Sequence, residues 1–444
     1  MHQVIKFWTN LRASLWFVPG LIVTGSIALA LGLIELDSRM DGKWLAAFPR
    51  IFGLGADGSR GMLTAIASSM LTVAALVFTM TLNAMTQASG QFTPRIFRNF
   101  MRDRANQFVL GYFVGVFVYC LLVLRTIRGG DEIRFVPSLA VIAGLLLALG
   151  GVVVLIFFIH HIADSLQITT IINNIADETK EAVERMFPAK LGKAAEPDAI
   201  TEVRKAAENQ QWRKVPAMQG GYLQSVDTDG LLEFAEGNKV ILRMESGIGQ
   251  FAGRGAVLLS LSHNSETENS DFALDEGTIK ELNGLYVIDR HRTIEQDAGF
   301  GIRQIVDIAL KALSPGVNDT TTAVTCIDFL GEIVGEIARR ELPQKVLTGK
   351  NGGRVIVCAF NFQDYVEAAF DQIRISGKAN LAIFERLLEA VGFVAECTDD
   401  KERLVAIKKQ IELVVEFALQ TLETDHEREK LEQKVVKVRL NFAK

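Results

Sequence analysis

Four long apolar runs near the start of the chain constrain its fold more than any other feature. They cover residues 15–36, 62–85, 108–124 and 136–159, and no later run is as long. Each is close to the roughly 20 residues that an α-helix needs to cross the hydrocarbon core of a bilayer. The sequence therefore predicts a domain of four transmembrane helices at residues 1–162, followed by a soluble domain.

Composition and motifs exclude several classes of protein. A net charge of −5 over 444 residues does not favour a nucleic-acid binder. The first apolar run is too long for the core of a signal peptide and lacks a small-residue cleavage site after it, so we read it as a retained anchor. The four cysteines show no CxxC spacing, and no nucleophile, zinc-protease or nucleotide-binding motif is present. We expect no enzyme activity, no metal and no cofactor.

Charge in the loops sets the expected orientation. Four spans place both termini on one side of the membrane, and the loop after the second span carries four arginines against a single Asp103. The positive-inside rule places such a loop in the cytoplasm. The thiols of the soluble part look unpaired, as expected in a reducing compartment. We therefore predict that both termini are cytoplasmic.

The soluble part reads as three segments. Residues 163–215 have helical spacing and then become polar, which predicts a helical stalk and linker. Residues 216–272 alternate short strand-like runs with turn signals such as DTDG, EGN and GIGQFAGRG, which predict a small β barrel or sandwich. Residues 273–444 are mainly helical, with one strand in GRVIVCAF and two final helices that break near residues 424–426. The predicted fold class is thus an α-helical membrane domain plus an α+β cytoplasmic domain.

The second apolar run carries an unusual stripe of polar residues. At about 100° per residue, the stripe falls within an arc of about 100° on one helix. Its members are Thr64, Ser68, Thr72, Thr79, Asn83 and Thr86. One interpretation is close packing between membrane helices, with each hydroxyl bonded to a carbonyl of the preceding turn. The other is that these residues line a water-filled path, because neutral polar groups can replace part of an ion's hydration.

Three further groups are candidate functional residues. Arg95, Arg98 and Arg102 either anchor the protein at the lipid headgroups or form a cytoplasmic mouth that attracts anions. His160 and His161 lie where the fourth span ends, and either sit among the headgroups or sense pH between about 5 and 8. Asn318, Asp319, Thr320 and Thr321 mark a helix start that either caps itself or holds an anion or ligand.

Several blocks of the chain carry a family resemblance. LWFVPG, QFTPRIFRNFMRDR, FIHHIADSLQ, GYLQSVD and DAGFGIRQIVDIALKALSPGVNDTTTA resemble the bacterial family of predicted membrane proteins catalogued as domain of unknown function 2254. The likeness runs over nearly the whole chain. It implies a multi-pass protein of the bacterial inner membrane and transfers no functional residues.

Taken together, these features favour a homo-oligomeric channel. Four helices fill their own centre with side chains, so a path requires several copies around one axis. The expected partners are the lipid bilayer, further copies of the chain and inorganic ions, with no nucleic acid. The alternative is a non-conducting membrane-anchored scaffold or ligand sensor.

Overall fold

A computed structural model describes most of the chain in nine stretches. They are residues 16–39, 55–91, 103–129, 134–165, 167–187, 212–263, 274–342, 346–349 and 353–441. The chain divides into two compact units, Met1–Thr170 and Ile171–Lys444. Each unit has its own architecture and its own core.

Among its described residues, the first unit contains four helices that are long and apolar enough to cross a membrane. They are α1 (Phe17–Arg39), α2 (Ala56–Gln91), α3 (Arg104–Thr126) and α4 (Ser138–Ser165). Two short strands, β1 (Arg128–Gly129) and β2 (Arg134–Phe135), pair between α3 and α4. The four predicted membrane helices are confirmed as helices, and α2 extends beyond its apolar run at both ends.

Helix α3 is the centre of the membrane unit. Half of its apolar stretch is buried inside the unit, a larger share than in the other three helices. It packs against α1, α2 and α4, and the side chains of Val109, Phe113 and Val116 are almost completely enclosed. Because α3 takes the centre, the other three helices each keep one broad face turned outward.

Small residues allow α1 and α3 to approach closely. The sequence GYFVG on α3 is a GxxxG motif, which permits close contact of membrane helices. A Cβ atom at Gly111 would lie 2.8 Å from Cα of Pro19, and one at Gly115 would lie 2.6 Å from Oγ of Ser26. A side chain at position 111 would therefore displace the backbone of α1, and one at position 115 would displace the Ser26 hydroxyl.

A buried carboxylate joins the opposite ends of α1 and α4. The side chain of Asp37, near the end of α1, accepts hydrogen bonds from the backbone N–H groups of Leu139 (3.2 Å) and Ala140 (3.1 Å). These are free donors in the first turn of α4, so Asp37 caps a helix 102 residues away along the chain. Tyr119 of α3 donates its hydroxyl to the Ala140 carbonyl at 2.7 Å, which adds α3 to the same junction.

The second unit contains two sheets that share one core. The five-stranded sheet has the order β3-β7-β5-β10-β9, and the three-stranded sheet has the order β6-β4-β8. The strands are β3 (Arg213–Pro216), β4 (Gly221–Val226), β5 (Val240–Met244), β6 (Phe251–Ala252), β7 (Val257–His263), β8 (Tyr286–Asp289), β9 (Val346–Thr348) and β10 (Arg354–Ile356). All described strand pairs are antiparallel except β5 and β10, which are parallel.

The predicted small β barrel or sandwich is not confirmed. The five-stranded sheet is open and ends at β3 and β9. Two helices, α6 (Thr228–Asn238) and α7 (Glu276–Gly284), contribute Leu231, Phe234 and Leu282 to the core of the sheets. The DTDG stretch that reads as a turn is in fact the start of α6, where the carboxylate of Asp227 accepts a hydrogen bond from the Gly230 N–H at 3.0 Å.

The rest of the second unit is a helical bundle. Its helices are α8 (Ala298–Ala312), α9 (Thr320–Ala338), α10 (Phe362–Ser376), α11 (Leu381–Glu396), α12 (Lys401–Thr421) and α13 (Asp425–Asn441). Helices α8 to α12 each start at an Asp or Asn that caps the first turn. The break between α12 and α13 confirms the predicted one. The apolar residues buried within this bundle include Ile407, Ile411 and Val414 of α12 and Leu431, Val435 and Val438 of α13.

Helix α5 (Ile168–Met186) follows α4 and packs into the helical bundle. Lys180 pairs with Glu332 of α9 at 3.1 Å, and Arg340 pairs with Glu184 at 3.3 Å. The guanidinium of Arg340 also donates to the Phe187 carbonyl at 2.9 Å, at the end of α5. These contacts hold the middle of α5 on α9 and the end of α5 on the residue Arg340 that follows α9.

Helix α5 also packs closely against a glycine of α8. A Cβ atom at Gly301 would lie 2.9 Å from Cβ of Thr179 and would overlap its hydroxyl oxygen. Thr179 is fully buried, and its hydroxyl donates to the Ile175 carbonyl at 2.6 Å. The interface between α5 and α8 therefore has no space for a methyl group at position 301.

We predict that Gly111→Ala destabilises the membrane unit. The added methyl group meets the backbone of α1, and overpacking of this kind costs about 1–3 kcal/mol. The measurement is the thermal unfolding temperature of the detergent-purified protein. Gly32→Ala on α1 is the matched control, since nothing lies within 4 Å of its added Cβ atom. Equal unfolding temperatures for the two variants would contradict the close contact of α1 and α3.

We predict that Gly301→Ala loosens α5 from the helical bundle. The change should raise the rate of hydrogen exchange in residues 171–187, measured by mass spectrometry, because the methyl group displaces Thr179. Gly237→Ala serves as the control, because its added Cβ atom meets nothing within 4 Å. Adding Thr179→Ala to the Gly301 variant should restore part of the protection, and no restoration would argue against this contact.

Candidate functional site

The polar stripe of α2 faces away from the rest of its own unit. All six residues, from Thr64 to Thr86, are exposed at the surface of the single chain. The buried residues of α2 lie roughly opposite at 100° per residue. They include Leu63, Ile66, Ala67, Met70, Ala74 and Val77. The stripe is therefore not explained by packing among the four helices of one chain.

Most hydroxyls of the stripe bond to their own helix. Ser68, Thr72, Thr79 and Thr86 each donate to the carbonyl four residues earlier, at 2.8–2.9 Å. This satisfies each hydroxyl hydrogen inside the membrane but leaves the oxygen lone pairs facing outward. The local hydrogen bonds anticipated from the sequence are present at these four positions.

Asn83 differs from the hydroxyl residues. Its side chain is exposed, and its amide has no hydrogen-bond partner among the described residues. An amide carries two donors and an acceptor, which lipid tails cannot satisfy. This position therefore needs water, an ion or a polar group of another molecule.

Apolar residues flank the stripe on both sides. Leu71 and Phe78 lie on one side, and Leu76 and Met80 lie on the other, all with exposed side chains. Such residues suit contact with lipid or with a neighbouring helix. The outward face of α2 is thus a narrow polar band with apolar borders.

The histidine pair separates into two different environments. Nε2 of His161 lies 2.6 Å from Oδ2 of Asp103, the residue that caps α3, and the two side chains are only 29% and 21% exposed. His160 is 80% exposed and pairs with Asp164 of its own helix at 3.2 Å. Only His161 therefore connects two helices of the membrane unit.

The predicted ligand site at residues 318–321 is arranged as a helix cap. The carboxylate of Asp319 accepts hydrogen bonds from the hydroxyl (2.6 Å) and the N–H (3.0 Å) of Thr322, and these bonds lower the pKa of Asp319. The hydroxyl of Thr320 accepts from the Asn380 amide at 3.0 Å. Thr321 and Asn318 are exposed, and Asn318 has a left-handed backbone with φ of 50°. A carboxylate thus already occupies the position that an anion would take at this helix start.

The arginines of the predicted mouth lie outside the described residues. Arg95, Arg98 and Arg102 belong to the segment between Gln91 and Asp103. In sequence, this segment ends directly at Asp103, the partner of His161.

A buried ion pair that the sequence did not reveal lies in the second unit. Asp297 caps α8 and also binds the guanidinium of Arg292, with N–O distances of 2.8–3.1 Å. Burial raises the pKa of the Asp297 carboxyl, and Arg292 opposes that shift. Gly249, with φ of 81°, approaches both side chains so closely that a Cβ atom would lie 2.7 Å from Nη2 of Arg292. With its carboxylate fully bonded, Asp297 holds the loop structure and is not a candidate site.

No group of three or more His, Cys, Asp or Glu side chains suited to a metal ion occurs in the part of the chain that the structure describes. A cavity of about 390 Å³ opens between the starts of α10 and α12, lined by residues that include Asn361, Arg403 and Phe360. The cap residues Asn361 and Asp400 already bond the free N–H groups of these two helices. The outward stripe of α2 and the pair formed by Asp103 and His161 are therefore the candidate functional features.

Comparison with known proteins places the chain in a family. Residues 12–392 match the family described as predicted membrane protein, domain of unknown function 2254. An uncharacterized protein of Mycobacterium tuberculosis strain CDC 1551 / Oshkosh is 31% identical over 416 residues, which cover 92% of this chain and 77% of the relative. Uncharacterized proteins of Mycobacterium bovis and of Mycobacterium tuberculosis strain H37Rv are 30% identical over the same shares.

No solved structure matches the chain. The family match spans most of the sequence and includes all four apolar helices, in agreement with the resemblance found in the sequence blocks. The chain is therefore a member of the domain of unknown function 2254 family of predicted membrane proteins.

Proposed function

We propose that the chain is the subunit of a homo-oligomeric channel in the bacterial inner membrane, with the polar stripe of α2 lining the path. The observation that supports this most strongly is the direction of the stripe. Its six residues point away from the core of their own unit. Polar side chains at membrane depth are stable where they contact water or another part of a protein. Several copies of the chain around one axis would supply both kinds of contact.

The centre of one subunit is too well filled to conduct. Helix α3 lies there, with Phe113 and Tyr119 almost completely enclosed. A path through a single chain would have to displace this core. The proposal therefore places the path between copies of α2.

The chemistry of the stripe suits weak binding of ions. The outward lone pairs of the threonines and the Asn83 amide are uncharged, so they can replace hydration without trapping an ion. The sign of the ion is then set by charges near the mouth, and the candidates are Arg95, Arg98 and Arg102. Their field would favour anions over a distance of about 8 Å at physiological salt.

The second unit is assigned a regulatory role in the cytoplasm. Helix α5 follows α4 after two residues and is fixed to α8 and α9 by Thr179, Lys180 and Glu184. A change in the bundle that moves these partners also moves α5. No catalytic step, cofactor or nucleic acid forms part of the proposal.

A non-conducting scaffold or ligand sensor is the second candidate. The observation that favours it is the set of local hydrogen bonds made by Ser68, Thr72, Thr79 and Thr86. Hydroxyls satisfied within the helix can pack against a neighbouring helix without any water. In this alternative, α2 contacts a partner helix and the four spans act only as an anchor.

We predict that water reaches the polar stripe of α2 and does not reach the apolar residues that flank it. In a variant without the four native cysteines, single cysteines at Thr72, Thr79 and Asn83 should react with a small charged thiol reagent. Cysteines at Leu76 and Phe78 are exposed on the same helix and should react at least about tenfold more slowly, because the reactive thiolate does not form in lipid. A cysteine at Val77, which is buried, gives the baseline.

Two outcomes separate the candidate functions. Equal protection at the stripe and border positions would contradict a water-filled path and favour the scaffold. A monomeric mass by light scattering in several mild detergents and in nanodiscs would contradict any path built from several copies. If the protein is oligomeric and the stripe is wet, ion flux in proteoliposomes should fall when Asn83 is replaced by Leu.

We predict that the C-terminus is cytoplasmic. A reporter enzyme that is active only in the periplasm should remain inactive when fused after Lys444, whereas a cytoplasmic reporter at the same position should be active. The opposite pattern would reverse the orientation and would place the arginines of residues 95–102 at the periplasmic mouth.

A further inference from the structure

We infer that one end of the second unit rests on anionic lipid headgroups through an apolar loop tip and two nearby lysines. The inference concerns contact with lipid and does not depend on ion conduction. The contact surface consists of the loop between α8 and α9 (residues 313–319) and the loop between α10 and α11 (residues 377–380), which we call the paired loops. The Asn380 amide donates to the Thr320 hydroxyl at 3.0 Å and so joins the second loop to the start of α9.

Helix α5 begins at the same end of the second unit as the paired loops. Lys180 of α5 pairs with Glu332 of α9 at 3.1 Å. Arg340, just beyond α9, donates to the carbonyl of Phe187, just beyond α5, so the two helices run in the same direction. The first residue of α5 precedes Lys180 by as many residues as the first residue of α9 precedes Glu332. Both helices rise by the same distance per residue, and they therefore start at about the same level.

The chain reaches this end of the second unit directly from a membrane helix. Helix α4, which is long and apolar enough to cross a bilayer, ends at Ser165, and α5 begins at Ile168. The start of α5 therefore stays within about 11 Å of the end of α4. Because the paired loops lie at the level where α5 starts, they are within reach of the headgroups around α4.

The loop between α8 and α9 has an exposed apolar tip with few free backbone donors. Pro315, Gly316 and Val317 are all exposed, and Val317 is 51% exposed. Proline has no N–H group, and the N–H groups of Val317 and Asn318 both donate to the Ser314 carbonyl, at 3.0 and 2.9 Å. Unpaired backbone groups are costly where water is scarce, so a tip of this kind suits the boundary between headgroups and acyl chains.

An exposed lysine accompanies each of the paired loops. Lys311 lies in the last turn of α8, and Lys378 lies in the loop between α10 and α11. A lysine can lay its methylene groups along an apolar surface and place its ammonium group among phosphates. Attraction to anionic lipid stabilises such a position. The carboxylate of Asp319 in the first loop is occupied by the hydroxyl and the N–H of Thr322.

Two exposed acidic residues at this end belong to a different pair of helices. Glu423 lies between α12 and α13, and Asp425 is the first residue of α13. Helices α12 and α13 pack mainly on α10 and α11 rather than on α5 and α8. Asp425 also pairs with Arg428 at 3.3 Å. The paired loops therefore combine apolar surface with positive charge, which is complementary to an anionic bilayer.

Quenching by labelled lipid in nanodiscs tests the inference on the full-length chain. In a variant without the four native cysteines, a fluorophore is attached to a single cysteine at Val317, Ile375 or Val405. The nanodiscs contain phosphatidylglycerol and a phospholipid with a nitroxide near its headgroup. Quenching should be strongest at Val317, intermediate at Ile375 in the last turn of α10, and weakest at Val405. Val405 is the matched control, because it is 67% exposed near the start of α12, at the opposite end of the bundle.

A second pair of variants tests the lysines. Replacing both Lys311 and Lys378 by Gln should lower the quenching at Val317 about twofold or more in phosphatidylglycerol, and this difference should disappear in phosphatidylcholine. The control replaces Lys401 and Lys408, two exposed lysines in the first half of α12, by Gln and should leave the quenching unchanged.

Two results would overturn the inference. One is equal quenching at Val317 and Val405, which would show that the paired loops are no closer to lipid than the opposite end of the bundle. The other is a double variant of Lys311 and Lys378 that behaves like its control.

Discussion

The lack of water in a bilayer core governs the structure of the first unit. Each polar group on α1 to α4 must find a partner within the protein or meet a wet surface. Tyr119 donates to a carbonyl of α4, Asp37 caps α4, and most hydroxyls of the α2 stripe bond to their own helix. Two amides have no such partner among the described residues, the buried Asn106 of α3 and the exposed Asn83 on the outward face of α2.

Close packing around α3 determines which face of α2 is left outward. The GxxxG motif brings α1 onto one side of α3, and Gly144 and Gly151 of α4 let Leu63 and Met70 of α2 approach. Once these contacts form, the large apolar residues of α2 are buried in the core. The small hydroxyl residues opposite them then have no place in the chain's own interior.

Much of the architecture could be predicted from local patterns. Apolar run length identified the four membrane helices, and the helical pattern of the last segment located the break between α12 and α13. The predictions fail where a short element, or a partner far away in the sequence, determines the structure. Eleven residues of α6 resemble a turn region because acidic residues and glycine both cap helices and make turns. The parallel pairing of β5 with β10 joins segments more than 100 residues apart, and no local pattern encodes it.

For the candidate site too, the sequence pattern predicts some features, and only the packed structure reveals the others. Periodicity alone placed Thr64 to Thr86 on one face of α2, but only the packed bundle reveals that the face points outward. His160 and His161 are equivalent in sequence, and a partner 58 residues away distinguishes them. The GYFVG motif on α3 is a sequence pattern that predicts close contact between helices, although it lies within a continuous apolar run.

Residues 157–187 connect these observations into one physical argument. Helix α4 ends at Ser165 and α5 begins at Ile168, so the two ends stay within about 11 Å of each other whatever the conformation. The end of α4 is tied to the start of α3 through His161, and α5 is fixed on the bundle through Thr179, Lys180 and Glu184. Because only two residues join α4 to α5, a displacement of α5 that exceeds their reach also displaces the end of α4. Such a displacement would stretch the contact between His161 and Asp103. Residues 157–187 therefore hold both a contact within the membrane unit and the contacts of α5 with the helical bundle.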